Sequence, residues 1–395
     1  MTTEATAAEP SDETVTDEPA PIRRKRWWPW AVLSTAALTG VASVAVWMAV
    51  HSSPEATGRT KLQAAQLALI NATGVHYIGR FPAANDENLS FDLRVTNVGD
   101  MSGTIEFEPG KPLSYLRIGD MAFLQGSADA WIAGGLNETD AANAEGKQLL
   151  QSSKLRGIDF AASLTPAKLG SLLDPNAKDN TPVETGAPIT VDGHRSIPLV
   201  SGEMTTYVNA GRVDRIVHPY LDVQVWQMSS EEVTQFYRDL RPTVTALDVA
   251  RDSGSWVSSD GTWSNPCAPT CTLTSTVTST ANPFAETVPG APSPADTIAL
   301  SYRTVLTIDG VVTTPPDCSG VTEMPRIGTT TLSCTFLRSA GSEFSATLST
   351  EAVIGRTRAD ILLQTLDDNA TKSRNKSGCP IILVEYKVTR SKSSC

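Results

Sequence analysis

Residues 27–50, WWPWAVLSTAALTGVASVAVWMAV, carry no charge, and Arg23, Arg24, Lys25 and Arg26 directly precede them. At about 1.5 Å per helical residue, the run is long enough to cross a hydrocarbon core of about 30 Å. The basic cluster favours the cytoplasmic side, and Trp27, Trp28, Trp30 and Trp47 sit near the two ends, where indole rings prefer the interface. The expectation is a single-pass cell-membrane protein with residues 1–26 cytoplasmic and the C-terminal bulk outside the cytosol. A cleaved signal peptide is the rival reading. Its apolar core would be shorter, about 7–15 residues, and would end in a small-x-small site. The site Ser43-Val44-Ala45 is available, but the run ends in Trp47, Met48 and Val50, which fits cleavage poorly. No Cys lies near this segment, which argues against an anchor made by acylating a cysteine. A buried core helix is the least favoured reading.

The 395 residues exceed one typical domain, and length alone suggests two or three. A net charge of −11 argues against nucleic acid as a partner, because phosphate binding needs a basic surface. Residues 1–22 are rich in Thr, Glu, Asp, Ala and Pro and carry only Val15 and Ile22 as large apolar residues, so a disordered acidic tail is expected. The six cysteines, Cys267, Cys271, Cys318, Cys334, Cys379 and Cys395, all fall in the last third. An even number on the oxidising side points to disulfides, with Cys267–Cys271 and Cys318–Cys334 as the nearest-neighbour guess. A zinc site at Cys267-Ala-Pro-Thr-Cys271 is disfavoured, because no second close Cys pair or His follows at finger-like spacing.

After a polar linker at 51–59, Leu62, Ala65, Leu69 and Ala72 recur at helical spacing, with Gly74 as a left-handed stop. The period then changes to two: Leu89, Phe91, Leu93 and Val95 alternate with Ser90, Asp92, Arg94 and Thr96. Further short strands are expected at 75–81, 102–108, 113–118, 121–125, 197–201, 205–209 and 213–217, separated by turn signals. Helices are expected at 143–155 and at 166–173, the latter opened by Thr165-Pro166. Residues 176–190 read as a surface loop. Ser229 and Glu232 form a capping box for a helix expected to stop before Pro242. Residues 60–245 thus read as one α+β domain on an antiparallel sheet.

This order of elements resembles a known family. The helix, Val75-His-Tyr-Ile-Gly79, the alternating strand, Ser102-Gly-Thr-Ile105, Tyr115-Leu-Arg-Ile-Gly119, Ala122-Phe-Leu-Gln-Gly126 and Trp131 look like the mycobacterial lipoproteins that carry lipids across the cell envelope. The later run from Val183 to Ile216, with Val191-Asp-Gly193 and Thr206-Tyr-Val-Asn-Ala210, is similar too. The resemblance covers roughly residues 60–240. It implies a half-barrel: a strongly curved antiparallel sheet with helices on its concave side, around an apolar cavity for acyl chains. One departure matters. Those proteins are tethered through an acylated Cys, whereas this chain would be held by its own membrane helix, which restricts how far a bound lipid travels.

From about residue 252 the texture shifts to Ser, Thr and Pro. Ile298 to Ile308 meets Asp309-Gly310 and then Val311 to Thr313, a strong hairpin signal. With Thr330 to Leu337 and Phe344 to Leu348, residues 252–355 read as a small all-β sandwich, with a Pro-rich loop at 283–296 and a C-terminal helix and tail at 356–395. This region resembles a Cys-paired β module of actinobacterial secreted proteins, which in some of them precedes a toxin domain. Only 15 residues follow Pro380, too few for such an enzyme.

Catalytic chemistry finds little support. His51, His76, His194 and His218 show no helical metal-ligand spacing. His218 with Asp214 or Asp222 invites a serine-hydrolase reading, but there is no G-x-S-x-G elbow. The acidic pairs Asp367-Asp368 and Glu231-Glu232 read as solvated surface, and nothing identifies a glycosidase pair. The outer part is therefore expected to be non-catalytic, without metal or cofactor. What remains is an apolar surface whose candidate ligand-lining residues are Leu69, Tyr77, Phe91, Leu93, Phe107, Tyr115, Phe123 and Trp131. The same residues packed at ordinary core density would leave no pocket. Two roles stay open: a membrane-tethered envelope protein holding a lipid or other apolar ligand, or a scaffold or adhesin-like protein, a relic of a toxin-delivery architecture, that meets an envelope protein partner.

Overall fold

The computed structural model describes residues 54–81, 89–151, 154–155, 158–175, 182–263, 267, 269–281, 297–337, 341–376, 381–384 and 387–390. The expected membrane span, the acidic tail, Cys379, Cys395 and the 283–296 loop lie outside these residues. Among the described residues, no helix is long and apolar enough to cross a membrane. Ser53–Cys395 is one compact unit.

The chain is α+β, and strands dominate it. Helix α1 (Pro54–Ile70) begins within the expected linker and ends before Gly74, which opens β1 instead of capping the helix. Gly58 is helical and pressed on Val183 and Thr185, which leaves no room for a larger residue. Strands β1 (Gly74–Phe81), β2 (Leu89–Thr96), β3 (Met101–Glu106), β4 (Pro112–Ile118), β5 (Met121–Gly126) and β6 (Leu149–Gln151) form an antiparallel meander. Short helices α2 (Ala128–Ala133) and α3 (Glu138–Ala144) lie between β5 and β6, capped by Ser127 and Asn137. The helix expected at 143–155 is mostly absent: β6 and the small β7–β8 ladder (Lys154–Leu155, Ile158–Asp159) take its place. Leu149 and Leu150 gain strand partners on both sides there, and tertiary pairing outweighs local propensity.

Helices α4 (Phe160–Leu164) and α5 (Pro166–Leu172) follow, with Pro166 at the first position of α5 as expected. The 182–190 stretch read as a loop contains β9 (Glu184–Thr185) and the start of β10 (Ile189–Val191). Strands β11 (His194–Ser201), β12 (Met204–Asn209), β13 (Arg212–His218) and β14 (Leu221–Met228) make a second meander. The two meanders join where β1 pairs with β14 from Gly74↔Met228 to Arg80↔Asp222. Helix α6 (Ser230–Thr245) carries both bonds of the Ser229–Glu232 capping box and runs through Pro242 rather than stopping before it.

The sheet continues past β6 through β15 (Arg251–Asp252), which pairs with β6 in parallel and with β22 (Phe344–Val353). Strand β22 pairs with β18 (Thr297–Ile308), which also carries β19 (Val311–Thr313) and β20 (Ser319–Pro325). Asp309 and Gly310, at φ 48° and 80°, form the tight β18–β19 turn that their sequence signals. A second layer, β16 (Ser255–Trp263), β17 (Thr270–Ala281) and β21 (Gly328–Leu337), packs on this one through Val277, Ile298, Leu300, Met324 and Ala352. Cys267 is bonded to Cys271 and Cys318 to Cys334, the pairing expected from the sequence. The second bridge spans 16 residues in sequence, and a loop of that size is worth about 3 kcal/mol. Reducing it, or replacing Cys334 with Ser, should lower the urea midpoint accordingly, while Cys267→Ser costs less. Helix α7 (Gly355–Lys376) and the β23–β24 hairpin (Ile381–Val384, Lys387–Arg390) complete the described chain.

Two faces of the main sheet are covered. On the inner face, α1, α4 and α5 bring Leu62, Leu69, Phe160, Leu164, Leu169 and Leu173 into one cluster with the inward residues of β1–β5 and β11–β14. On the outer face, α6 and α7 cover β4 and β5: Leu116, Ile118 and Phe123 pack with Phe236, Leu240, Leu362 and Leu366. Strands β4 and β5 are therefore apolar on both sides, so Tyr115-Leu116 and Phe123-Leu124 break the simple alternation that β2 keeps.

Candidate functional site

One cross-strand row of the inner face runs through Val225, Tyr77, Leu93, Gly103, Tyr115, Leu124 and Leu149, one residue per strand from β14 to β6. Gly103 is required there, since a Cβ would lie 1.9 Å from the Asp92 carbonyl oxygen. Over this row lies Phe160, fully buried, with its ring centroid 5.3 Å from Tyr115 and 6.2 Å from Phe91. Phe81 closes the group at 5.0 Å from Phe91 and 5.8 Å from Phe160. Leu69, Tyr77, Phe91, Leu93, Tyr115 and Trp131 belong to this buried cluster, and Phe107 packs at its margin. Phe123 does not join them: it faces α6 and α7 on the outer side. Phe160 was missed by sequence reasoning. Its signal, an Asp159 cap followed by an aromatic, falls at 156–165, between the two helices expected at 143–155 and 166–173.

Within this apolar cluster three hydrogen-bonding groups have no partner among the described residues: Tyr77 Oη, Tyr115 Oη and Trp131 Nε1. Their residues are 0 %, 1 % and 2 % exposed. Burial raises both phenol pKa values well above the ordinary one, so both stay neutral and able to donate. Trp131 Nε1 can only donate. An unpaired buried polar group costs about 1–3 kcal/mol, so the three together are a substantial penalty unless something meets them. Strand spacing of about 4.8 Å puts Tyr77 and Tyr115 about 14 Å apart along the sheet, within reach of one elongated molecule. Tyr77→Phe and Tyr115→Phe should accordingly leave the stability of ligand-free protein unchanged or raise it by up to about 1 kcal/mol each, read by urea unfolding. A loss of several kcal/mol would mean that the hydroxyls have partners inside the protein.

The outer face has a different opening, a groove of about 250 Å³ between β3–β5 and α6. Beside it, the Asp100 carboxylate accepts bonds from Gly119 N, Tyr237 Oη and Asn369 Nδ2, each at 3.0 Å. Burial pushes this carboxyl up from the usual range, opposed by those donors and by the Arg117 charge. Since each donor comes from a different element, Asp100 fastens α6 and α7 to the β4–β5 turn.

The histidines are held elsewhere. His76 Nε2 lies 2.6 Å from Asp92 Oδ1, with its ring beside Trp226. His218 Nδ1 accepts from the Tyr220 N–H, Asp214 accepts from Ser196 Oγ at 2.5 Å, and Asp222 is chelated by Arg215. The Ser–His–Asp grouping considered from the sequence is therefore not assembled among the described residues. Nor do any three His, Cys, Asp or Glu side chains among them come together as a metal site. Compared with protein-family models and with curated proteins, the chain matches none.

Proposed function

We propose that the chain is a single-pass, membrane-anchored protein of the cell envelope whose non-catalytic outer part forms a half-barrel and holds a lipid or other apolar ligand against its inner face. The observation that carries this reading is the trio of unpartnered donors, Tyr77 Oη, Tyr115 Oη and Trp131 Nε1, inside an otherwise apolar cluster. Most of such a ligand would pack on Leu93, Phe91 and Leu69, and its few polar atoms would accept from the three donors. The anchor rests on the uncharged run at 27–50 and the basic residues before it. Organic extraction of full-length protein purified in a non-lipid detergent, followed by mass spectrometry, tests the ligand. An apolar molecule near one per chain is expected, reduced in the Tyr77→Phe/Tyr115→Phe variant. Its absence, with no thermal shift on adding lipid, would overturn the reading.

A second reading, an extracytoplasmic scaffold or adhesin-like interaction protein with no small-molecule ligand, is favoured by the closeness of the Phe81, Phe91, Phe160 and Tyr115 rings. In that reading the inner face is a filled core and the molecule works by its surfaces. Cross-linking in intact cells should then return a protein partner, and lipid extraction should return nothing.

A further inference from the structure

We propose that the outer groove between β3–β5 and α6 is a binding site for one ring of an uncharged saccharide. The groove is a second site, separate from the inner face. Its polar lining is Ser102, Ser114, Gln125, Gln148 and Thr243, with no Asp, Glu, Lys, Arg or His among the residues that line it. Gln125 donates to the Gly146 carbonyl at 2.7 Å, and among the described residues its oxygen has no partner and Ser102, Ser114, Gln148 and Thr243 make no side-chain hydrogen bond. The remaining wall is mostly apolar, formed by Leu116, Phe123 and Leu240, and Gly103, Tyr115 and Leu124 of the sheet floor also border it. Register explains this two-sided character. On the outer face the row Leu116↔Phe123↔Leu150 runs under α6, and the row Thr104↔Ser114↔Gln125 lies beside it.

The chemistry of the lining decides the ligand class. An anion finds no cation there, and Thr243 sits in the last turn of α6, where the helix end is partially negative. A cation finds no carboxylate. The nearby charges are engaged with each other, Arg241 with Asp367 and Lys147 with Glu351. An acyl chain would strip water from five polar side chains and return no hydrogen bond. A peptide cannot add as a strand, because the backbones of β3, β4 and β5 are already paired on both sides. A neutral sugar presents what both walls need: a C–H face for the leucines and hydroxyls that donate and accept for Ser, Thr and Gln. The groove holds roughly eight water volumes at about 30 Å³ each, less than a drug-sized site, so one ring enters and the rest of a glycan stays outside.

Full-length protein in a non-glycosidic detergent is the sample, and maltose, lactose and cellobiose are the probes, with glucuronic acid and glucosamine as charged controls. Saturation-transfer NMR and calorimetry should detect at least one neutral disaccharide and neither charged sugar. Ser114→Trp, at an exposed position, should abolish the signal by filling the groove, and Gln125→Ala should weaken it about five- to tenfold, the loss of one hydrogen bond. Tyr77→Phe on the inner face should leave it unchanged, which separates this site from the lipid reading. No binding of any neutral probe up to about 10 mM, a millimolar Kd being the weakest useful range, or equal binding by Ser114→Trp and Gln125→Ala, would overturn the proposal.

Discussion

Phe160→Ala is expected to destabilise the compact unit Ser53–Cys395 by about 3–5 kcal/mol, the usual cost of removing a fully buried aromatic side chain. The ring is 0 % exposed and meets Phe81, Phe91 and Tyr115, so no single neighbour can swing in to close the space. A fall in the urea midpoint without a change in slope checks the magnitude. The same variant separates the two functional readings. If an apolar ligand shares this face, added lipid recovers part of the loss by occupying the new space, because ligand binding to the native state alone stabilises by mass action. If the face is only a core, lipid recovers nothing.

The second large effect lies at Asp252. Its side chain is 1 % exposed and pairs with Arg358 Nη1 at 2.8 Å and Arg326 Nη2 at 3.4 Å. It also accepts from the Gly254 N–H at 2.9 Å. One carboxylate thereby joins β15, the β20–β21 turn and α7. Asp252→Ala removes the carboxylate from two partly buried guanidinium groups, of which Arg326 still donates to the Gly254 carbonyl, and should cost about 3–5 kcal/mol. Replacing Asp252, Arg326 and Arg358 together with apolar residues of similar volume should recover most of that, since a buried ion cluster is costly to break but is not in itself strongly stabilising. Thermal melts of the single and triple variants check both statements.

The legible parts of the fold were those where one face is wet. The period-two run Leu89 to Val95 reads as a strand because Ser90, Asp92 and Arg94 still meet solvent. The Ser229–Glu232 box and the Asp309-Gly310 turn are local devices, so they survive without tertiary information. Strand β14 has a legible alternation of Val223 and Val225 with Gln224 and Trp226, but the large apolar Trp226 on its wet side blurs the period of two. Pro242 predicts a helix end, yet α6 keeps its last turn because Val244 and Leu247 are buried beyond the proline. Packing there outweighs one missing hydrogen bond.

The candidate site was only half legible. Leu69, Tyr77, Phe91, Leu93, Tyr115 and Trp131 could be collected as large apolar residues in strands and helices, and the structure brings them into one cluster. Which side Phe123 takes could not be read, because β5 is apolar on both faces and alternation carries no sign there. Nor could the sequence show that two tyrosines and a tryptophan would bury their polar atoms unpaired, since that depends on what folds back over them. The outer groove depends on α6 crossing β3–β5, a placement with no local signature.

The most direct measurement is a crystal structure of the full-length protein purified in a non-lipid detergent, inspected around Tyr77 Oη, Tyr115 Oη and Trp131 Nε1. The expected result is an elongated apolar molecule with a polar atom about 3 Å from at least one of the three donors. Three donors paired instead with protein groups or with ordered water alone, under a closed Phe160, would contradict it.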